Sequence, residues 1–440
     1  MEDADGCILR ASPGGALDGI FAVPGDKSIS HRALILGAMA EGETRIDGLS
    51  EADDVLATAR ALESLGVEVR RDGAGSWLVC GAPWRSPAWA IDCGNSGTTA
   101  RLLIGAVAGM PITASFVGDL SLSRRPMDRV IEPLRSMGAT IDGGPTLPVT
   151  VRGGGLGGIG FTNPLGSAQV KSALLLAGLG TDHPVEIIEP IASRDHSERL
   201  LRRFGCELDQ WDSADGRHVR LGRRRRLVGT EVSVPGDPSA AACAWVAATL
   251  VARSRVVTPA VMVNPLRSGL LAALSEMGSD IRVSNEREVG GETVADIEVR
   301  AAPLTGVVVP AERVPTLIDE VPLLAIAAAF AQGPTVIHGL GDLRNKESDR
   351  LAATVAGLRR CGVEARVEGD NLHVAGCGGD VPGGVRIETH GDHRIAMAFL
   401  TLGLASRAPI AVDQASMIAT SFPGFADAMR AIGADIEQRP

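Results

Sequence analysis

The sequence predicts an α/β protein of two domains, assembled from six copies of one βαβαββ-like unit, three per domain. Two observations carry this. A helix-like run, a glycine and a short alternating strand recur as "ALESLGVEV", "PLRSMGATI", "LLRRFGCEL", "ALSEMGSDI", "GLRRCGVEA" and "AMRAIGADI". The tetrapeptide "VPGD" occurs twice, at 23–26 and 234–237, about half the chain apart. Self-similarity at a fixed period marks a repeat architecture, whose units bury their apolar faces against one another.

Taken in order, the glycines of the six runs are Gly66, Gly138, Gly205, Gly278, Gly362 and Gly433. Each fits the left-handed position just past a helix, where a missing Cβ removes the steric penalty, and a strand-like alternation follows. Roughly forty residues before each glycine a second helix of small apolar residues opens, near Ser28, Gly97, Ser167, Asp237, Asp319 and Asp392. Two helices and several short strands therefore make one unit. The "VPGD" copies read as crossover strands, near 23–26 and 234–237, that act as a hinge. They divide the chain into a first domain at 24–235 and a discontinuous second domain, 1–23 with 236–440. A cleft between such domains is the natural ligand site.

Composition narrows the function. The 440 residues are 45% hydrophobic, enough for several cores, and their longest apolar stretches, such as "PLLAIAAAFA" at 322–331, are too short for a membrane span. The opening "MEDADG" lacks the basic start of a signal peptide, and a cytoplasmic protein is expected. Seven cysteines without a CxxC pair indicate neither a disulfide framework nor a zinc site. A net charge of −10, with 3% aromatic residues and no tyrosine, argues against a nucleic-acid binder. The basic run "RRRR" at 223–226 reads as a solvated edge beside a strand. Only Lys27, Lys171 and Lys346 are lysines among the basic side chains, which marks three places where a compact, titratable ammonium differs from a guanidinium.

Helix N-termini carry partial positive charge and disfavour cations by about 0.3 to 1 kcal/mol each. This chain nevertheless puts cations there repeatedly. Lys27 precedes a helix and Arg32 follows Ser28 by one turn in "KSISHR"; "GNSGTTAR" sets Arg101 one turn past small residues; "NKESDRL" spaces Lys346 and Arg350 by four; "GDHRIAM" puts Arg394 in a first turn. Pairing with nearby carboxylates explains one such site as well as a ligand does, but a multiply charged anion accounts for all four together. Three other features are decoys. "GLGGIG" at 155–160 matches a dinucleotide fingerprint, but Pro164 follows it before any helix. His390 and His393 of "HGDH" lack a visible third metal ligand, and no metal is expected. Asp319 in "LIDEVP", taken alone, reads as a helix N-cap before it reads as a base.

Nine segments in order, "PGDKSISHR", "CGNSGTTAR", "SLSRRPM", "GSAQVKSA", "SRDHSE", "TLIDEVP", "NKESDRL", "GDHRIAM" and "MIATSFPGF", resemble the 5-enolpyruvylshikimate-3-phosphate synthase family over nearly the whole chain. The likeness is to the subgroup of herbicide-insensitive bacterial forms. It implies the enolpyruvyl transferase fold, a two-domain inside-out α/β barrel. It also implies transfer of the carboxyvinyl group of phosphoenolpyruvate to the 5-hydroxyl of shikimate 3-phosphate, in the shikimate pathway of aromatic amino-acid and chorismate biosynthesis, without cofactor or metal. Lys27, Ser28, Arg32, Ser167, Ala168, Gln169 and Arg194 then correspond to the shikimate 3-phosphate site, with Asp319 and Lys346. Lys27, Gly97, Arg125, Gln169, Arg350 and Arg394 correspond to the phosphoenolpyruvate site. The catalytic set is Asp319, the base at the 5-hydroxyl, with Glu347, Lys27 and Lys346. A monomer inhibited by glyphosate is expected.

Departures from the family pattern sharpen this. Thr420 stands where many members have a lysine, and Ala168 where others have a second serine. Gly97 keeps the small residue that insensitive relatives replace by alanine. A UDP-N-acetylglucosamine enolpyruvyl transferase is the alternative enzyme, but it expects asparagine after the lysine and a loop cysteine where this chain reads "GDLSLSRRPM". A non-catalytic two-domain anion-binding protein would not need Asp319, Lys346 and Glu347 together.

Overall fold

The computed structural model describes residues 6–73 and 75–439. The chain divides into two compact units: a first of Gly25–Val234 with Val289–Gly291, and a second of Met1–Pro24, Pro235–Glu288 and Glu292–Pro440. Two of the division points thus fall inside the "VPGD" copies. In each copy the aspartate caps the following helix: Asp26 accepts from the Ile29 amide at 2.8 Å and Asp237 from the Ser239 amide at 2.7 Å. Gly25 admits no side chain, because a Cβ there would lie 1.9 Å from the Gly48 carbonyl oxygen.

The first unit holds helices α1 (Lys27–Met39), α2 (Asp53–Ser64), α3 (Gly97–Ala108), α4 (Asp128–Ser136), α5 (Ala168–Gly178) and α6 (His196–Arg203). The second holds α7 (Pro238–Leu250), α8 (Gly269–Glu276), α9 (Val321–Phe330), α10 (Arg350–Arg360), α11 (His393–Gly403) and α12 (Phe425–Ala431). Among the described residues there are six four-stranded sheets, three to a unit. In one, Glu231–Ser233 pairs in parallel with Gly42–Asp47, which pairs antiparallel with Ser76–Gly81 and through it with Glu68–Arg71. A parallel edge pair followed by an antiparallel neighbour recurs in all six. Strand Ile8–Ser12 lies between Ile410–Val412 and Asp435–Arg439, which ties the N-terminal segment into the second unit.

The layers follow from side-chain chemistry. Helices α7 and α9 are apolar on all sides, and a helix without a polar face must sit inside. Strands such as Gly42–Asp47 alternate buried and exposed residues, so their sheets keep one face toward solvent. Helices therefore form the centre of each unit and sheets its outside. Small residues allow the central helices to touch: a Cβ on Gly105 of α3 would lie 2.3 Å from the Ala173 carbonyl oxygen of α5.

All six repeat glycines have positive φ, between +85° and +99°, as the sequence pattern predicts. Two expectations need correction. Asp319 is not a helix cap: it sits in the 3-10 turn Ile318–Glu320, Glu320 occupies the N-cap position of α9, and the Asp319 carboxylate is left to interact elsewhere. The "RRRR" run is only partly a solvated edge. Arg225 donates to the Gly178 carbonyl at 2.9 Å and to that of Thr181, closing the end of α5, while Arg226 pairs with Glu41. No helix among the described residues is long and apolar enough to cross a membrane. None of the seven cysteines forms a disulfide.

Candidate active site

In the first unit the starts of the three central helices carry one connected polar cluster. Arg32, one turn into α1, is 5% exposed. Its Nε donates to Ser197 Oγ at 2.7 Å, and its two terminal nitrogens donate to Ser172 Oγ at 2.8 Å and the Ser28 carbonyl at 2.9 Å. None of these partners is a carboxylate. Burial accordingly lowers its pKa to about 10; the charges of Glu198 and Asp26 oppose the shift and that of Arg194 adds to it. A buried guanidinium held only by neutral oxygens is electrostatically incomplete, and an anion would complete it. Lys27, half-buried, pairs with Asp54 at 2.9 Å. His31 is kept neutral by burial and by the charges of Lys27 and Arg32, and its Nδ1 lies 2.7 Å from Thr58 Oγ1.

Ser167 caps α5, Ala168 follows it, and Gln169 reaches to α3, where its Nε2 donates to Thr98 Oγ1 at 2.9 Å. Arg101 donates to Gln169 Oε1 at 2.8 Å and to the Pro126 carbonyl at 2.9 Å. Arg125, 6% exposed, is fixed by Asn95 Oδ1 at 2.6 Å and Ser121 Oγ at 3.1 Å. A Cβ on Gly97 would lie 2.8 Å from a terminal nitrogen of Arg101 and 3.5 Å from one of Arg125, so the first residue of α3 packs directly on two guanidinium groups. The predicted Lys27, Ser28, Arg32, Gly97, Arg125, Ser167, Ala168, Gln169 and Arg194 all belong to this unit. Arg101 joins them through Gln169 and Gly97. Its signal, a cation one turn into "GNSGTTAR", is visible in the sequence, but its bridging role depends on α3 and α5 lying side by side.

The second unit carries the carboxylates. Arg350 opens α10, is 2% exposed, and is surrounded by three acids. Its Nε meets Asp392 at 2.8 Å, one terminal nitrogen meets Asp319 at 3.5 Å, and the other meets Glu347. Burial opposes its charge, but Asp392, Glu347 and Asp319 outweigh burial and raise its pKa. Asp392 also caps α11 by accepting from the Arg394 amide at 2.9 Å, and it accepts from Ser348 Oγ at 2.9 Å. Arg394 lies 3.6 Å from Glu320, which also binds Arg267 at 3.0 Å and Ser239. Lys346 pairs with Asp342 at 3.0 Å. The structure thus brings Asp319, Glu347 and Arg350 together and places Arg394 beside the next carboxylate. The Arg267–Glu320 pair escapes sequence reading because fifty-three residues separate its members. Thr420, in place of the family's lysine, is buried against His393, with Oγ1 3.2 Å from the ring Nδ1.

Ile159–Thr162, at the end of "GLGGIG", is a strand, and the next helix, α5, opens only at Ala168. His393 contacts Thr420, and the Asp392 between the two histidines is engaged with Arg350 and the Arg394 amide.

Comparison with known proteins identifies the family. The family model described as EPSP synthase (3-phosphoshikimate 1-carboxyvinyltransferase) matches residues 11–429. The 3-phosphoshikimate 1-carboxyvinyltransferase of Caulobacter vibrioides is 53% identical over 437 residues, covering 98% of this chain and 99% of the relative. That of Phenylobacterium zucineum is 52% identical over 431 residues, covering 97% and 95%. The solved EPSP synthase of Acinetobacter baumannii superposes with a TM-score of 0.86 at 40% identity, covering 99% of this chain and 100% of that one. The enolpyruvyl transferase NikO of Streptomyces tendae, at 18% identity and a TM-score of 0.77 over 99% of both chains, shares the fold. By sequence over its full length and by fold, the chain belongs to the EPSP synthase family, the 3-phosphoshikimate 1-carboxyvinyltransferases.

Proposed function

We propose that the first-unit cluster receives shikimate 3-phosphate and that the second-unit carboxylates act on it. In this reading Lys27, Ser28, Arg32, Ser167, Gln169 and Arg194 hold the phosphate and ring. The Ala168 side chain supplies no hydroxyl, so the phosphate relies on the two flanking cations. Gly97, Arg125, Gln169, Arg350 and Arg394, with Lys27, hold phosphoenolpyruvate, and Arg101 steadies Gln169. Water must be excluded from the electrophilic intermediate, which hydrolysis would otherwise consume. The observation that carries the reading is Arg32: a buried cation with hydroxyl and carbonyl partners, on the element where a phosphate is required.

The chemistry assigns the acids. Attack of the 5-hydroxyl on C2 of phosphoenolpyruvate, with protonation of its methylene, forms a tetrahedral phosphate ketal. Loss of a methyl proton and expulsion of phosphate then complete the transfer. Asp319 takes the hydroxyl proton as base, and Glu347 gives the methylene proton and takes one back. Both are held on Arg350, so one guanidinium sets the position of the two groups that move protons. Lys346 completes the acceptor's site, and arginines stabilise the charge that develops on carboxylate and phosphate. The protein is read as a cytoplasmic monomer inhibited by glyphosate.

Replacing the base separates binding from chemistry. Asp319→Ala is expected to lower turnover by orders of magnitude while shikimate 3-phosphate still binds in calorimetry. Retained turnover in that variant would remove Asp319 from the mechanism.

A further inference from the structure

Lys171 is the one lysine with no part in the proposed chemistry, and it is fully buried in the second turn of α5. Its Nζ lies 2.7 Å from Glu189 Oε2 and 2.7 Å from Glu198 Oε1, and both carboxylates are also fully buried. Burial alone would discharge the ammonium, but the charges and hydrogen bonds of the two acids raise its pKa, so it stays protonated. One cation shared between two carboxylates leaves Glu198 short of compensation. Burial raises its pKa, and its Oε2 has no hydrogen-bond partner among the described residues.

A buried ion cluster of this kind is seldom the most stable filling for a core, since well-packed apolar residues often do as well. Its position suggests another use. Glu189 ends the strand Val185–Glu189 and accepts from Ser193 Oγ at 2.5 Å, from the Ser193 amide at 3.3 Å and from Asn163 Nδ2 at 3.0 Å. Asn163 Nδ2 also donates to the Ser167 carbonyl at 3.1 Å. Glu198 lies in the first turn of α6, next to Ser197, whose hydroxyl holds Arg32 Nε. Lys171 therefore ties together the start of α5, the turn before Arg194 and the start of α6.

We infer that Lys171, through Glu189 and Glu198, is a positioning residue that fixes Ser167, Arg194 and the Ser197–Arg32 contact as a preformed phosphate receptor. The inference rests on the proposed shikimate 3-phosphate site. Charges that never touch the ligand set the geometry of those that do, as supporting hydrogen bonds do around other binding sites. The cluster's hydrogen bonds run to the Ser193 turn, to Asn163 beside Ser167 and to the start of α6, which are the elements of the acceptor side.

The test uses the full-length protein and steady-state phosphate release. Lys171→Met is expected to raise KM for shikimate 3-phosphate at least tenfold while KM for phosphoenolpyruvate changes less than twofold. That variant also strands two buried carboxylates, so the double variant Lys171→Met with Glu198→Gln is needed. It is expected to recover most of the lost thermal stability without recovering KM for shikimate 3-phosphate. An unchanged KM in both variants, recovery of KM together with stability, or an equal rise in both KM values would overturn the inference. Wild-type phosphate release that ignores shikimate 3-phosphate would overturn the functional reading instead, and the two failures are thereby distinguished.

Discussion

Gly97 begins α3 with no side chain between its backbone and Arg101, and an added methyl would come within 2.8 Å of a terminal nitrogen of that guanidinium. The guanidinium end is flexible, so Gly97→Ala is expected to fold with a stability change below about 1 kcal/mol. It should shift Arg101 and weaken glyphosate inhibition at least tenfold; an unchanged inhibition constant would contradict the proposed placement of phosphoenolpyruvate. His31 offers a pH test. Its folded pKa lies well below 6.5 because it is buried between Lys27 and Arg32. Between the two pKa values the unfolded chain binds a proton that the folded chain does not, so stability falls as pH drops below about 6.5. The contribution approaches about 1.4 kcal/mol per pH unit, and His31→Gln should flatten that part of a urea-midpoint profile between pH 7.5 and 5.5. The placement of Lys27 and Arg32 in the first turns of α1 is legible in the sequence, because it is a local feature. Asp319 is misread as a cap because nothing local shows that a 3-10 turn separates it from α9.

At the level of elements, the repeat rests on two kinds of glycine. Gly205 stands after α6 with φ +90° and open space where a Cβ would lie, so Gly205→Ala tests backbone strain alone and should cost about 1 to 2 kcal/mol. Gly105 has an ordinary backbone, but a methyl there would collide with the Ala173 carbonyl. Gly105→Ala should force α3 and α5 apart and cost more than the strained site, at least about 2 kcal/mol, and guanidinium melts of the two variants decide the order. The first kind is readable from a sequence, since a glycine between a helix and a strand pattern has one common explanation. The second is not, because close approach of two helices is a tertiary fact. The same limit hides Arg225 at the end of α5, which a run of four arginines presents as surface charge.

For the whole molecule, the net charge of −10 and the cationic cluster are compatible because the cations are concentrated at helix starts. The groups proposed to bind phosphate lie in the first unit and the acids proposed to move protons in the second. The repeats and the nine segments make the architecture legible, whereas the ionic networks around Lys171, Glu320 and Arg350 emerge only once the chain is folded. The most direct test is phosphate release from phosphoenolpyruvate by the purified protein, measured with and without shikimate 3-phosphate. Release is expected only when shikimate 3-phosphate is present, one phosphate for each enolpyruvyl product formed. Release at the same rate without it would contradict the proposed transfer.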